Sequence, residues 1–237
     1  MNYNDYEMNV AFRERELEAS AALPALMRKV YVWMTLALSI TGFTAFAVAS
    51  TPNLPQIVLM NTWVMWGLII AEFALVIGIS WGINKLSLTT ATLLFVLYSV
   101  INGATLSVIF VAYSIGTISK VFFITAGTFA VMAFIGYVTK TDLSKLGKIL
   151  FMALIGVIIA TVVNIFVKSS GLDLILSYVG VLVFVGLTAY DTQKIKEKTA
   201  YADSSNTTAL ALGGAFELYL DFINLFLYLL RLFGKRR

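Results

Sequence analysis

The 237-residue chain contains no cysteine and no histidine, and it has only three prolines. The lack of cysteine excludes a disulfide framework. The lack of both residues excludes a Cys/His zinc site, haem ligation by histidine and a histidine general base. Charged residues are also scarce, at 13% of the chain, about half the share of an ordinary soluble domain. We therefore expect no resident cofactor.

Apolar residues, by contrast, make up 59% of the sequence and recur in long runs from residue 30 to residue 233. A soluble fold of this size would leave much of that surface in water, whereas a helix of about 20 apolar residues satisfies its own backbone hydrogen bonds inside a bilayer. The composition predicts an all-α, multi-pass integral membrane protein whose main partner is the lipid bilayer. Residues 1–25 are predicted to form a polar N-terminal tail, either partly helical or disordered, and residues 26–237 a single transmembrane domain.

Seven membrane spans are predicted, joined by connections too short to hold a soluble catalytic domain. Pro52 and Pro55 end the first span because proline cannot continue a helix interior. The predicted spans cover about residues 30–50, 62–83, 88–112, 118–139, 148–167, 172–193 and 209–233.

Basic residues lie mainly at the ends of these spans, and the net charge is only +4, so we expect no nucleic acid partner. With the N-terminus inside, the cytoplasmic segments hold eleven Lys and Arg residues, whereas the first three outer loops hold only Lys120 and Lys168. We therefore expect the N-terminus and the 194–206 loop on the cytoplasmic side. Seven full spans place the basic C-terminal tail outside, whereas a re-entrant last segment would keep it inside.

Apart from Asp173 at the very start of the sixth span, four carboxylates fall within predicted spans: Glu72, Asp191, Glu217 and Asp221. A charged carboxylate facing lipid is costly, so we expect all four to face the protein interior or a water-filled cavity. Glu217 and Asp221 share one face of a helix, and the short connection between the last two spans gives Asp191 and Asp221 a similar depth. No obvious basic partner sits at mid-span, and such an acid-rich, base-poor interior is expected to favour cations over anions.

Two interpretations of these acids stay open. They could be neutral, hydrogen-bonded groups that hold the bundle together, which is the simpler interpretation of Glu72, or they could line a path for a cation or proton. Oxygen ligands, including Asn102, Asn164 and Asn224, suit a hard cation such as Ca²⁺. Two neighbouring aspartates in a low dielectric can share one proton, so such a pair can respond to pH without a histidine.

Four segments carry a recognisable pattern: RKVYVWMTLAL (28–38), EFALVIGISWGINKLS (72–87), GLTAYDTQKIK (186–196) and ELYLDFINLFLYLLRLFG (217–234). They resemble the Bax inhibitor-1 family, also called the transmembrane Bax inhibitor motif family, and especially its bacterial members. The resemblance extends from about residue 25 to the end. It implies a location in the bacterial inner membrane and a seven-helix fold, in which two three-helix layers wrap a central C-terminal helix.

The resemblance also implies a function. It is a pH-sensitive calcium leak, gated by a hydrogen-bonded aspartate pair that maps onto Asp191 and Asp221. Calcium is then the transported ion, held only transiently by these two residues. Further candidates for the cation path are Glu217, Asn224 and Glu72.

Some bacterial members of this family carry an arginine near the end of helix two that latches onto the aspartate pair. The corresponding position here is Ile83, which cannot replace an arginine. Lys85, two residues further on, is the candidate substitute for the latch.

Functions other than a channel require residues that this sequence supplies only in part. Tyr190-Asp191 matches an intramembrane aspartyl protease, but Asp221 follows Leu-Tyr-Leu instead of the Gly-x-Gly of such enzymes. A retinal pigment needs a mid-span lysine in its last helix, which this chain lacks. A proton-coupled transporter could use the same acids, and a non-conducting scaffold would act through protein partners that the sequence does not identify. We expect a channel and not an enzyme.

Overall fold

The computed structural model describes residues 3–83, 85–200 and 207–235, and within these ranges the chain is helical without strands. Side chains are described for residues 22–58, 60–83, 85–199 and 208–235. The helices are α1 (Tyr3–Ser50), α2 (Leu54–Met60), α3 (Thr62–Gly82), α4 (Leu88–Leu106), α5 (Ile109–Ala112), α6 (Ile115–Val138), α7 (Ser144–Val167), α8 (Ser170–Ala200) and α9 (Thr207–Phe233).

Seven helices in the described ranges are long and apolar enough to cross a membrane, which confirms the predicted all-α, seven-span fold. The spans are α1 from Ala22 onward, α3, α4 continued by α5, α6, α7, α8 and α9. The third span is interrupted after Leu106, where the Ser107 hydroxyl donates to the carbonyl of Ala104 at 2.7 Å. Asn53 adopts a left-handed backbone conformation between the two prolines of the first connection, and α2 begins immediately after it.

The largest differences from the predicted spans are at polar helix ends. Helix α1 begins at Tyr3, so the described part of the predicted tail is helical. Helix α8 continues to Ala200 instead of ending near residue 193. Lysine and glutamate are good helix formers, so the KIKEK segment extends the helix although it adds nothing to the apolar signal. Residues 201–206 of the predicted cytoplasmic loop, and Arg236 and Arg237 of the tail, lie outside the described residues.

Helix α9 forms the centre of the bundle. It contacts α1, α4, α6 and α8, and 67% of its most apolar stretch is buried, against 6% for α3 and 11% for α7. On one side of it α1 and α3 pack on α4, and on the other side α6 and α7 pack on α8. The six other spans therefore form two three-helix layers around the C-terminal helix, as predicted, with α3 and α7 outermost.

Two glycines allow neighbouring helices to approach at backbone distance. A Cβ at Gly103 of α4 would lie 2.6 Å from the carbonyl oxygen of Thr41 in α1. Gly136 of α6 lies directly against the backbone of Ala189 in α8. Because small residues let membrane helices pack this closely, each layer is tightly joined, and α8 is held in place two residues before Asp191.

Candidate functional site

Asp191 on α8 and Asp221 on α9 lie next to each other inside the bundle. Asp221 is only 4% exposed, and the side chain of Asp191 is 14% exposed. Their carboxyl groups are within hydrogen-bonding reach of each other. Among the described residues, no donor reaches Asp221 Oδ2, which is buried. A proton held between the two carboxyl groups would supply a donor at this interface, because a protonated carboxyl donates where a carboxylate can only accept.

Lys194 is the residue of this site that the sequence interpretation missed. Its Nζ lies 3.4 Å from Asp191 Oδ1 and 3.0 Å from Glu217 Oε1. The sequence interpretation found no obvious basic partner at mid-span and placed residue 194 at the start of a cytoplasmic loop. It missed Lys194 because α8 does not end at residue 193, so that Lys194 stands on the helix, one turn after Asp191. The spacing of three residues between them was the available signal, since such residues are neighbours on a helix surface.

Lys198, one turn further along α8, completes the charged group. Its Nζ lies 3.5 Å from Glu217 Oε1, the same oxygen that Lys194 contacts. We refer to Asp191, Lys194, Lys198, Glu217 and Asp221 together as the carboxylate–lysine cluster. It contains three acids and two lysines, so one proton shared by the two aspartates makes it electrically neutral. A neutral arrangement is favoured where charge is poorly solvated.

Two predicted cation-path residues on α9 differ in their surroundings. Glu217 belongs to the cluster, is 30% exposed in its side chain, and has Oε2 buried without a hydrogen-bond partner among the described residues. Asn224 is half-buried, and its Nδ2 donates to the carbonyl oxygen of Leu220 in its own helix at 2.8 Å. The structure therefore brings Glu217 to the aspartates, whereas the amide donor of Asn224 is used within α9.

Within the described residues, no group of three or more acidic, histidine or cysteine side chains is placed to hold a metal ion. The oxygens of the two aspartates are of the type that Ca²⁺ prefers, but Ca²⁺ takes six to eight of them in a stable site. The two aspartates alone supply fewer oxygens than that number.

A second polar group, which we call the Tyr219 network, lies on a different face of α9. The Tyr219 hydroxyl shares a 2.7 Å hydrogen bond with Thr41 Oγ1 of α1 and lies 3.0 Å from Asn102 Oδ1 of α4. Thr41 Oγ1 also donates to the carbonyl oxygen of Ser99 at 3.0 Å. All four residues are buried, so this network joins α1, α4 and α9 through hydrogen bonds inside the apolar core.

Glu72 lies beside the Tyr219 network and not beside the aspartates. It is half-buried on α3 and is within hydrogen-bonding reach of the side chains of Asn102 and Thr105 in α4. Its Oε1 is buried without a hydrogen-bond partner in the described part of the chain. The four intramembrane acids expected to face inward thus lie in two places, with Glu72 separate from the other three.

The candidate latch residue Lys85 makes no salt bridge to the aspartate pair. It is exposed, and it makes no ion pair with the side chains that the structure describes. Ile83, at the position of the family arginine, packs against Gly213, one turn before Glu217 on α9. The basic group that contacts Asp191 and Glu217 comes instead from α8, through Lys194.

The turn between α6 and α7 is fastened to α8 close to the cluster. Gln193 accepts from the backbone N–H of Leu143 at 2.8 Å and donates to the carbonyl of Thr141 at 2.9 Å.

Asp142, in the turn between α6 and α7, is exposed and lies outside the spans. Side-chain and backbone hydrogen bonds from Ser144 hold the pKa of Asp142 below its usual value. Asp142 therefore stays ionised at neutral pH, unlike a carboxyl that shares a proton.

Comparison with known proteins gives long and consistent matches. The sequence model described as "Inhibitor of apoptosis-promoting Bax1" matches residues 23–237. Inner membrane protein YbhL of Escherichia coli K12 is 48% identical over 224 residues, which are 93% of this chain and 96% of that protein. An uncharacterized protein of Borreliella burgdorferi is 46% identical over 89% of this chain and 92% of its own length. The uncharacterized protein RP147 of Rickettsia prowazekii is 38% identical over 98% and 99%.

Proposed function

This chain belongs to the Bax inhibitor-1 family, and on that premise we propose that it is a pH-sensitive calcium leak of the bacterial inner membrane. The gate is the proton shared by Asp191 and Asp221. The observation that carries the proposal is the adjacency of these two carboxyl groups at the buried α8–α9 interface, where Asp221 Oδ2 has no donor among the described residues. Seven apolar spans and a relative named as an inner membrane protein support the location.

In the closed state the aspartate pair holds one proton. This proton provides a hydrogen bond between α8 and α9 and makes the carboxylate–lysine cluster neutral. Adding a second proton, or removing the first, changes both the bond and the charge. Either change alters the free energy of the α8–α9 contact inside a low-dielectric interior, where such differences are large.

Movement of α9 couples the aspartate pair to conduction. Helix α9 packs against four other helices, so a small displacement of it rearranges most of the bundle. Packed interfaces of this kind switch between discrete arrangements and do not deform continuously. The open arrangement exposes the oxygens of Asp191 and Asp221 to a passing Ca²⁺, and Glu217 extends the path toward the side predicted to be cytoplasmic. Asn224 and Glu72 are the further candidates along it.

Lys194 takes the place of the latch arginine that the chain lacks. It joins Asp191 on α8 to Glu217 on α9, and it keeps a positive charge beside the acids while the pore is closed. A cation that enters the cluster has to compete with this ammonium group. The release of Lys194 from Glu217 is therefore part of opening.

Calcium flux into liposomes containing the purified protein tests the proposal. The wild-type protein should admit Ca²⁺ at a rate that changes with pH, as read by a trapped calcium indicator. Asp191→Asn and Asp221→Asn keep size and hydrogen bonding but remove titration, so each should flatten the pH profile. The double variant should add little, because the two residues act as one unit.

Asp142→Asn is the matched control, since it makes the same chemical change at an exposed carboxylate that stays ionised at neutral pH. It should keep the wild-type profile. The aspartate gate is rejected if both single variants at the pair also keep that profile. Absence of any calcium flux would reject the leak itself, and saturable, substrate-driven proton uptake would indicate a proton-coupled transporter instead.

A further inference from the structure

A groove of about 570 Å³ opens between α1 and α6 toward the surrounding bilayer. Its floor is formed by Phe129 and Ala133, which are 5% and 3% exposed, and its rim includes Phe134, which is 65% exposed. Met27 and Tyr31 of α1 form the opposite wall. The groove is thus a lateral, apolar and aromatic depression at the level of the membrane.

One end of the groove is basic. Arg28 is the single charged residue among those that line it, is exposed, and makes no ion pair with any side chain that the structure describes. At the same end Tyr137 lines the groove, and Lys196 of α8 donates to its carbonyl oxygen at 2.8 Å and lies 6.0 Å from its ring centroid. The groove therefore combines an apolar body with a positively charged end.

The basic end coincides with the boundary of the membrane. Arg28 lies six residues into the apolar part of α1, which begins at Ala22, and Tyr137 is the last residue but one of α6. The other lining residues of α6 precede Tyr137 and so lie deeper. This arrangement matches the layout of a phospholipid, whose charged head lies at the interface and whose chains extend inward.

We propose that this groove binds one anionic phospholipid from the leaflet on that side, with its phosphate at Arg28 and an acyl chain along Phe129 and Phe134. The part of the groove lined by Phe129, Ala133 and Phe134 is filled by a hydrocarbon chain and not by water, because these side chains cannot hydrogen-bond water. Basic sites between transmembrane helices near the surface select anionic headgroups. A single anionic phospholipid therefore accounts for both the apolar length of the groove and its positive end.

The groove is also connected to the gate described above. Phe129 in its floor packs against Phe222 of α9, with ring centroids 5.5 Å apart, and Phe222 follows Asp221 directly. A bound acyl chain would restrict the movement of Phe129 and so of this part of α9. This consequence for conduction rests on the proposed function, whereas lipid binding itself does not.

Quenching of tryptophan fluorescence by brominated lipids tests the binding without measuring flux. The four native tryptophans, Trp33, Trp63, Trp66 and Trp81, are replaced by phenylalanine, and Phe134→Trp introduces a single reporter on the groove. The protein is placed in phosphatidylcholine vesicles containing either brominated phosphatidylglycerol or brominated phosphatidylcholine. The ratio of the two quenching constants gives the selectivity for the anionic lipid.

Phe151→Trp in the same background is the matched control. Phe151 is 58% exposed on α7, and it lies one turn from Lys148, so it reports the general attraction of anionic lipid to a basic helix end. Selectivity for phosphatidylglycerol should be about fivefold greater at the groove than at Phe151→Trp, which is the contribution of roughly one basic side chain. Arg28→Gln should reduce the groove selectivity to the control level.

A second pair of measurements separates the headgroup from the chain. Ala130→Leu, at an exposed lining position of α6, should reduce quenching by both brominated lipids at the groove while Arg28 remains in place. On the chain with its native tryptophans, native mass spectrometry should show phosphatidylglycerol retained by the wild type and lost in Arg28→Gln. The proposal is overturned if selectivity for phosphatidylglycerol is equal at the two reporters. It is also overturned if Arg28→Gln retains phosphatidylglycerol as the wild type does. A protein that binds the lipid but admits no calcium would reject the leak and leave this site intact.

Discussion

The ammonium group of Lys194 on α8 lies 3.0 Å from the carboxylate of Glu217 on α9 and so joins the two helices beside the buried aspartates. Both side chains are about one-third exposed, so solvent screens the pair, and the bond contributes about 1 kcal/mol or less. Its importance lies in its position, because it fixes a positive charge next to Asp191 without burying that charge completely.

Lys194→Gln should raise calcium flux at neutral pH. The variant removes the bond between α8 and α9 and leaves the cluster with more negative charge, and both changes favour an entering cation. Lys194→Arg should preserve most of the wild-type behaviour because it keeps the charge. Flux into liposomes at a series of pH values, together with thermal unfolding in detergent, measures both effects.

Lys85→Gln is the control for Lys194→Gln, since Lys85 is an exposed lysine outside the cluster. It should leave flux and thermal stability unchanged. Loss of pH control in Lys85→Gln but not in Lys194→Gln would identify Lys85 as the latch residue and contradict the role given to Lys194.

Glu72→Gln should retain calcium flux and its pH profile. Glu72 lies beside Asn102 and Thr105, away from the aspartate pair, and glutamine keeps the shape and most of the hydrogen-bonding capacity of the side chain. The measurement is the same liposome assay on protein that elutes as a single folded species. If flux disappears in well-folded Glu72→Gln, this acid belongs to the cation path and is not only a structural group.

Tyr219→Phe should lower the free energy of unfolding by about 1–3 kcal/mol, because Asn102 and Thr41 would lose a buried hydrogen-bond partner. Unfolding in mixed detergent micelles, followed by circular dichroism, measures the change. Tyr178→Phe is the matched control, since Tyr178 is 59% exposed on α8. Equal effects of the two substitutions would show that the Tyr219 network adds no stability.

Cysteine labelling can settle the topology, because the native chain contains no cysteine. Single cysteines at Gln56 and Lys235 should react with a membrane-impermeant maleimide in intact cells. Cysteines at Lys140 and Ser204 should react only after the membrane is permeabilised. This pattern follows from the lysine distribution and from a seventh span that crosses completely. Protection of Lys235→Cys in intact cells would mean that the C-terminal tail is cytoplasmic.

The sequence predicts the spans of this protein well because one physical requirement determines them. A helix in lipid needs a long apolar stretch, and each of the seven helices contains one. The same criterion cannot locate a polar helix end. It therefore placed Lys194 in a loop, whereas Lys194 lies on α8. Lys194, which contacts Asp191, was missed for that reason.

The candidate site was predictable only in part. Counting residues along two adjacent antiparallel helices was sufficient to place Asp191 and Asp221 at one depth. The Tyr219 network was not predictable, because its members come from α1, α4 and α9, and nothing local indicates which faces of these helices meet. Asn102 was recognised only as an oxygen ligand, whereas its position depends on a tyrosine 117 residues further along the chain.

The central position of α9 has a consequence for biogenesis. Helix α9 follows the six other spans in the chain, so the translocon inserts them before their common core exists. Until α9 arrives, polar groups such as Asn102 lack their native partner, Tyr219, and the two layers have nothing to close around. The nascent chain must therefore hold a partly open bundle in the membrane, and its two layers close only after the helix that carries Asp221 has been inserted.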